Sequence, residues 1–439
     1  MARVALALRS GLEEELRHRL RPMSGQDPRA RGRQSTPLEL LYDLTYVIAF
    51  GAAAEQLAHH ISQGEAGSAV GAYVFAVFSI SWSWLNFTWF ASAYGNDDAL
   101  LRVATIVQMV GVVILIFGLP VSFEAAAHGE SPNNALLVIG YIIMRVPLIG
   151  LWLRAARQDP AHRSIAIAYA VMIAVAQVIW ALTAILPLPT GVTITVLALM
   201  VLAEATVPVV AEKRLGAPPW NPGHIAERFS LLTLITLGEV IAATVAAVGS
   251  LVEAQGWSLA AVVIAASGII LAAALWWAYF LVPSRLILEL WPQRVYAWRY
   301  AHLPMFGAIA AVGAGLRVAA AAVEERELSA LQIALALAVP VGVVVLLIFV
   351  MWSILLRARD LTHVPLFVAS IVPLFAAVAV GALAGTHHLD PDDPTSLGAL
   401  GAVIALVALC GIAEVIGHEI VGYPHTLRAL EAGPEPGPD

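Results

Sequence analysis

The sequence predicts an all-α polytopic membrane protein of about twelve transmembrane helices, organised as two parallel six-helix repeats, and three observations predict it. Hydrophobic residues make up 60% of the 439 positions and charged residues only 13%, so most of the chain cannot face water. The apolar runs are long and continuous, as helices of about 20 residues require, and unlike the short alternating strands of a membrane barrel. Basic residues fall on alternate connections between those runs, as a repeatedly crossing chain demands.

In order, the spans fall at roughly 38–58, 68–91, 102–124, 133–154, 162–186, 190–212, 228–250, 258–281, 297–320, 330–354, 363–386 and 395–420. Lys and Arg are retained on the cytoplasmic side near helix ends, so with the N-terminus inside they should occupy the even-numbered connections. Arg102, then Arg154, Arg157 and Arg163, Lys213 and Arg214, Arg285, Arg294 and Arg299, Arg357 and Arg359, and Arg428 do so. Acids mark the opposite loops: Glu124, Glu130, Glu253, the run from Glu324 to Glu327 interrupted by Arg326, and Asp390, Asp392 and Asp393. The expected location is the inner (plasma) membrane with both termini cytoplasmic, the lipid bilayer as partner and no nucleic acid. The net charge of -7 reflects loop composition and says little about partners.

Residues 1–37 carry eight arginines and no apolar run of secretory-signal length, and read as a basic cytosolic tail. Leu12, Leu16 and Leu20 recur beside Arg17, Arg19 and Arg21, so a short helix on anionic lipid competes with a disordered tail that enforces topology. Residues 38–212 form the first bundle, 213–227 a cytosolic linker, 228–420 the second bundle and 421–439 a disordered polar tail. Three echoes in matching order support the duplication. ELLYDLTYVIAFGA (39–52) echoes ERFSLLTLITLGEV (227–240), WSWLNFTWF in the second span echoes LWWAYF in the eighth, and AEATVPVV in the sixth echoes AEVIGHEI in the twelfth. Six spans per half would insert both halves in the same sense, about an axis along the membrane normal and with a central cavity between them.

A charge at the centre of a membrane helix costs roughly 2.5–3.5 kcal/mol on insertion scales, so it lines a cavity, meets a partner or performs work. Glu39 and Asp43 share a face at i, i+4, and Tyr46 continues it. Two carboxylates one turn apart repel, so one holds a proton or both face a cation; the alternative is a solvated Glu39 with Asp43 capping or paired to an Arg. Arg228 and Glu239 share a face without touching, and each needs a partner on another helix. Arg145, mid-span in VIGYIIMRVPLIGLW, needs a carboxylate from Asp43, Glu204, Glu239 or Glu414. It serves either as a packing clamp or as an anchor for an anionic substrate. Glu204 stands four residues before Pro208, whose ring frees the Glu204 carbonyl. Glu414 occupies the equivalent place in the second half and aligns with His418 at i, i+4 as a relay pair. His302, just before Pro304, is either a titratable group at a kink or a packing residue. Trp82, Trp84, Trp89, Trp276 and Trp277 lie deeper than an interface belt requires, as cavity walls or as packing. His387, His388 and Asp390 read as a solvated loop, and Cys410 as a lone thiol without a role.

The blocks ELLYDLTYVIAF, ERFSLLTLITLGEV and AHLPMFGAIAAVGAG together resemble the bacterial low temperature requirement protein A family of membrane proteins. The resemblance runs from about residue 38 to the end of the last span. It singles out Glu39 and Asp43 in an E-x3-D pattern, Glu227, Arg228, Gly238 and Glu239 in an ER-to-LGE pattern, and His302. Leu41 and Tyr42 stand where the family usually has Phe. The family's name comes from a cold-growth phenotype, and the resemblance supplies no molecular activity.

Span count, duplication and clustered charges point to a secondary transporter, proton- or cation-coupled, of a small solute or ion. Its polar cavity is expected to gather Glu39, Asp43, Arg145, Glu204, Glu227, Arg228, Glu239, His302, Glu414 and His418. No GxxxxGK[ST] loop is present to power an ATPase. One alternative is a membrane-embedded enzyme acting on lipid or an isoprenoid carrier through Asp43, Glu239 and His302; another is a non-catalytic envelope or cold-stress factor. Without a nucleophile elbow, an HExxH or a dense metal-ligand motif, no catalytic residue, metal or cofactor is expected.

Overall fold

The computed structural model describes residues 20–431 except 31, 133, 326–327, 357–362 and 385–392. Among the described residues twelve helices are long and apolar enough to cross a membrane. They are α1 (Pro37–Ser62), α2 (Ala66–Tyr94), α3 (Ala99–Ala127), α4 (Ala135–Gln158), α5 (Arg163–Ile185), α6 (Thr190–Leu215), α7 (Pro222–Gln255), α8 (Leu259–Phe280), α9 (Val295–Glu325), α10 (Ala330–Leu356), α11 (His363–Leu383) and α12 (Pro394–Gly417). They correspond one to one with the expected spans. Arg326, Glu327, Arg357, Arg359, His387, His388, Asp390, Asp392, the Leu12 and Leu16 pattern with Arg17 and Arg19, and the last eight residues of the expected tail lie outside the described residues.

Helix starts follow local chemistry. The first amides of a helix have no partner within it, and in apolar surroundings they need one. Thr36 and Glu39 form a reciprocal capping box ahead of Pro37, and Asp98, Asn221 and Ser258 accept from the first turns of α3, α7 and α8. Asn221 with Pro222 starts α7 well before residue 228, so most of the expected 213–227 linker is helical and only 216–221 connects α6 to α7. The stretch expected as a disordered tail from 421 continues as a π turn, His418–Gly422, and a short helix, Tyr423–Glu431.

Helix α9 is the axis of the bundle. Its spanning window is 89% buried against 17% for α6, and it packs on α1, α2, α7 and α10. The small residues of AHLPMFGAIAAVGAGL permit this crowding: a Cβ on Gly315 would stand 2.4 Å from the Ala336 carbonyl of α10. The neighbour order α1·α2, α1·α3, α3·α4, α4·α5 recurs as α7·α8, α7·α9, α9·α10, α10·α11. The halves nevertheless meet unequally, because α9 seats on α1 and α2 with no comparably extensive seating of α3 on α7 or α8 among the described residues.

Residues 20–30 and 32–36 form a strap across the helix ends on the N-terminal side rather than a loose tail. The Met23 amide donates to Gln158 Oε1 at 2.7 Å, the Arg33 guanidinium donates to the Ser92 and Ala91 carbonyls at 2.5 and 2.6 Å, and the Ser35 amide donates to Glu227 Oε1 at 3.1 Å. Asn221 Nδ2 donates to the Ala30 carbonyl at 2.9 Å. Asp98, capping α3, is the strap's charged anchor: it meets Arg154 Nη2 at 2.6 Å and the Arg21 amide at 3.1 Å.

Burial opposes the Asp98 charge, but the Arg154 hydrogen bond and the Leu101 and Arg21 amides outweigh it and hold the carboxyl below its ordinary range. A group ionised more readily in the folded chain stabilises above its unfolded pKa, about 4 for Asp, and loses that contribution as pH falls through the folded value. Asp98→Asn should therefore cost about 1–3 kcal/mol at pH 7 and progressively less as the pH is lowered below about 4, which thermal melting in detergent over a pH series measures.

Candidate functional site: ion pairs between helices

The head of α1 carries Glu39 and Asp43 on one face, and the head of α7 brings Arg228 against both. Arg228 Nη1 lies 3.0 Å from Glu39 Oε1, and Nη2 lies 2.5 Å from Asp43 Oδ1. The cation required by two adjacent carboxylates is thus a guanidinium from the opposite half of the chain. Trp84 of α2 donates its indole N–H to the same Asp43 oxygen at 2.6 Å, and His224 Nε2 lies 3.2 Å from Glu39 Oε1. Glu39 is not solvated: its other oxygen accepts from the Thr36 amide at 2.8 Å and hydroxyl at 3.0 Å. Arg228, Asp43 and His224 have no exposed surface, and Asp43 Oδ2 has no hydrogen-bond partner among the described residues. Deeper on α1, the Tyr42 and Tyr46 hydroxyls pair at 2.8 Å.

Helix α6 carries two further carboxylates, eight residues apart and so on one face, each held in the same way. Glu204 accepts from the Trp180 indole at 2.5 Å and the Tyr141 hydroxyl at 3.0 Å, with Arg145 Nη2 at 3.6 Å. Arg145 also donates to that tyrosine oxygen at 2.6 Å. Glu212 accepts from the Trp89 indole at 2.8 Å and from the Tyr169 hydroxyl, with Arg299 Nη2 at 3.4 Å. Arg299 lies over the Trp89 ring, 4.1 Å from its centroid. One indole, one phenol and one guanidinium around each carboxylate satisfy its lone pairs in low dielectric, which keeps a buried ion pair from being a net cost. Since α6 is the least buried of the twelve helices, these two carboxylates fasten it to the bundle.

Glu239, midway along α7, pairs with Arg317 of α9 at 2.5 Å. It fits because Gly51 and Gly313 leave a slot, where a Cβ would stand 2.8 Å from Glu239 Oε2 and 3.0 Å from its Cγ respectively. Glu414 and His418 meet at 3.2 Å on α12. His302 has no exposed surface; its Nδ1 faces the Trp298 carbonyl at 2.8 Å and its Nε2 the Tyr279 hydroxyl at 3.0 Å, among Phe229, Trp298 and Phe306. Glu227 points back to the strap.

The ten expected residues therefore do not ring one polar cavity. Arg145 finds one of its four expected partners, Glu204, whereas Asp43, Glu239 and His302 each hold different partners, and the two apolar cavities beside α2 are lined by other residues. Trp84 and Trp89 serve as donors to carboxylates, while Trp276 and Trp277, 43% and 50% exposed, face outward and wall nothing. Glu212, His224 and Arg317 carry no expectation from the sequence, and Arg299 reads there as a loop charge. The i, i+8 spacing of Glu204 and Glu212 was the available signal for the first.

Twelve apolar helices with their charges paired inside define a multi-pass helical membrane protein. Residues 34–409 match the family model of the bacterial low temperature requirement A protein (LtrA), and the chain belongs to that family. It is similar to the Uncharacterized protein RA0937 of Rhizobium meliloti (strain 1021), 25% identical over 288 residues that cover 62% of this chain and 66% of that protein, just under two thirds of its length. No solved structure matches.

Removing one member of a buried pair leaves an uncompensated charge at a cost of about 3–5 kcal/mol, whereas replacing both by apolar groups is often neutral. Glu204→Leu should destabilise by about that amount and Glu204→Leu with Arg145→Met should regain most of it, read by denaturant unfolding in micelles with tryptophan fluorescence.

Proposed function

We propose that the protein is a secondary transporter, coupled to protons or a monovalent cation, that moves a small solute across the inner membrane with both its termini cytoplasmic. The charge count around Arg228 carries this reading. Two carboxylates, Glu39 and Asp43, share one guanidinium and one imidazole. Arg33 of the strap adds a second guanidinium that acts on Glu39, so with His224 neutral the charges balance, and a proton taken up by Asp43 or His224 leaves the dry cluster positive and loosens it. Asp43 Oδ2, unpartnered among the described residues, is the atom that would take that proton. The cluster joins α1 to α7, the first helices of the two proposed repeats, and the Glu239–Arg317 pair joins α7 to α9 deeper along the same helix. Protonating Asp43 weakens its hold on Arg228, so loading a proton biases the two halves between arrangements, which is the coupling that alternating access requires.

Asp43→Asn and Glu239→Gln keep shape and remove titration. In vesicles with an internal pH dye, the parent should move protons when a solute pool from the cell is added, and the variants should not, while still inserting and melting as folded proteins. Both variants sustaining proton movement and cold growth as the parent does would show these carboxylates to be structural and end the transporter reading.

A further inference from the structure

Two apolar cavities of nearly equal size, about 750 and 760 Å³, lie side by side on the flank where α2 meets α6. The first is lined by α1, α2, α6, α9 and α10; the second lies among α2, α3 and α6. They share Val74, Phe78 and Val201 as a common partition. Their lips meet at the α1–α2 turn, with Gly64 and Ala66 on one and Gly67 and Ser68 on the other. That turn is on the side opposite the strap, which the basic-loop pattern makes the outer leaflet.

Among the described residues no charged side chain lines the first cavity, and the second has only Glu130, in the α3–α4 connection. The Tyr73 and Tyr300 hydroxyls of the first are already engaged, donating to the Gly307 carbonyl at 2.6 Å and the Ala205 carbonyl at 2.9 Å. A hydrated ion or a sugar therefore finds almost nothing to bind inside. A neighbouring helix is too thick: with a diameter of 10–12 Å and a pitch of 5.4 Å, one turn occupies roughly 420–610 Å³, so neither cavity seats two turns. A hydrocarbon chain is slender and apolar, and two compartments of matched volume whose lips meet at one interhelical turn suit two such chains tied to one headgroup.

We propose that the paired cavities bind a single diacyl lipid, one acyl chain on each side of the Val74, Phe78 and Val201 partition and the headgroup at the turn from Gly64 to Ser68. The site goes beyond the transporter reading: it lies on the flank, apart from the Arg228 cluster, and its lipid is not the small solute that reading moves. The α6 side of the site is held to the bundle by Glu204 and Glu212, by the Ala205 carbonyl that accepts from Tyr300, and by the Thr193 hydroxyl facing Ser131.

The full chain in nanodiscs containing phosphatidylethanolamine with a diazirine in its acyl chain tests the site without any transport. Photolabelling should reach Val77 and Ala311 of the first cavity and Ala198 of the second, well above Val171 and Val175 on the outward face of α5. Val339→Trp and Leu202→Trp change residues that line the cavities from their open side, 57% and 60% exposed, so the core is untouched. Each should cut labelling of its own cavity at least tenfold and leave α5 unchanged. Labelling no denser than on α5, labelling indifferent to both substitutions, or a single-chain probe competing as well as the diacyl lipid would overturn the site. Loss of proton movement in Asp43→Asn is read separately and bears only on the transporter.

Discussion

An arginine cannot remain alone in hydrocarbon, and the arrangement of these helices follows from where each buried arginine meets its carboxylate. Arg228 ties α7 to α1, Arg145 and Arg299 tie α4 and α9 to α6, and Arg317 ties α9 to α7. Each joint crosses between helices, so each also sets a register. Tryptophan completes three of them, Trp84, Trp180 and Trp89 each presenting one N–H to a carboxylate. An indole disperses negative charge without adding a positive one and leaves an apolar body for the core, which is what a crowded membrane interior needs. The joints are also strung along the bundle rather than gathered in it, because each charge is satisfied by the nearest complementary group at its own depth.

Much of the frame was legible in the sequence, for physical reasons that act locally. Span length and hydropathy answer to bilayer thickness alone, so twelve runs become twelve helices. The need of Arg145, Arg228 and Glu239 for partners on other helices follows from their position in apolar runs, and Glu204 was among the partners named for Arg145. What was not legible depends on tertiary placement. Glu212 adjoins Lys213 and Arg214, and a carboxylate beside two basic residues reads as solvated loop; only the approach of Trp89, Tyr169 and Arg299 buries it. Arg299 read as a loop charge because it stands at the head of the expected 297–320 span, among Arg285 and Arg294, and α9 already starts at Val295. The strap has no helical or strand period, and its order comes from amides and a guanidinium bonding to helix ends brought together by the rest of the fold.

Helix α6 stands apart from the other eleven. Apolar packing holds most of the bundle, but α6 keeps few buried faces and relies on two carboxylates near its second half, while its first half borders both lateral cavities. Elements with little buried apolar surface open at lower free energy than the core around α9, and an edge helix of that kind beside an apolar site is free to move without disturbing the central joints.

The strap also constrains how the protein is made. Its residues leave the ribosome ahead of all twelve helices, yet the Ser35 amide bonds to Glu227, 192 residues later, and Asn221 holds the Ala30 carbonyl from 191 residues away. No such contact can form until six helices have been handed to the membrane and the seventh has begun. A segment synthesised before the bundle is thus among the last to settle, and it closes over the helix ends like a clasp fastened once the first half of the bundle is already standing.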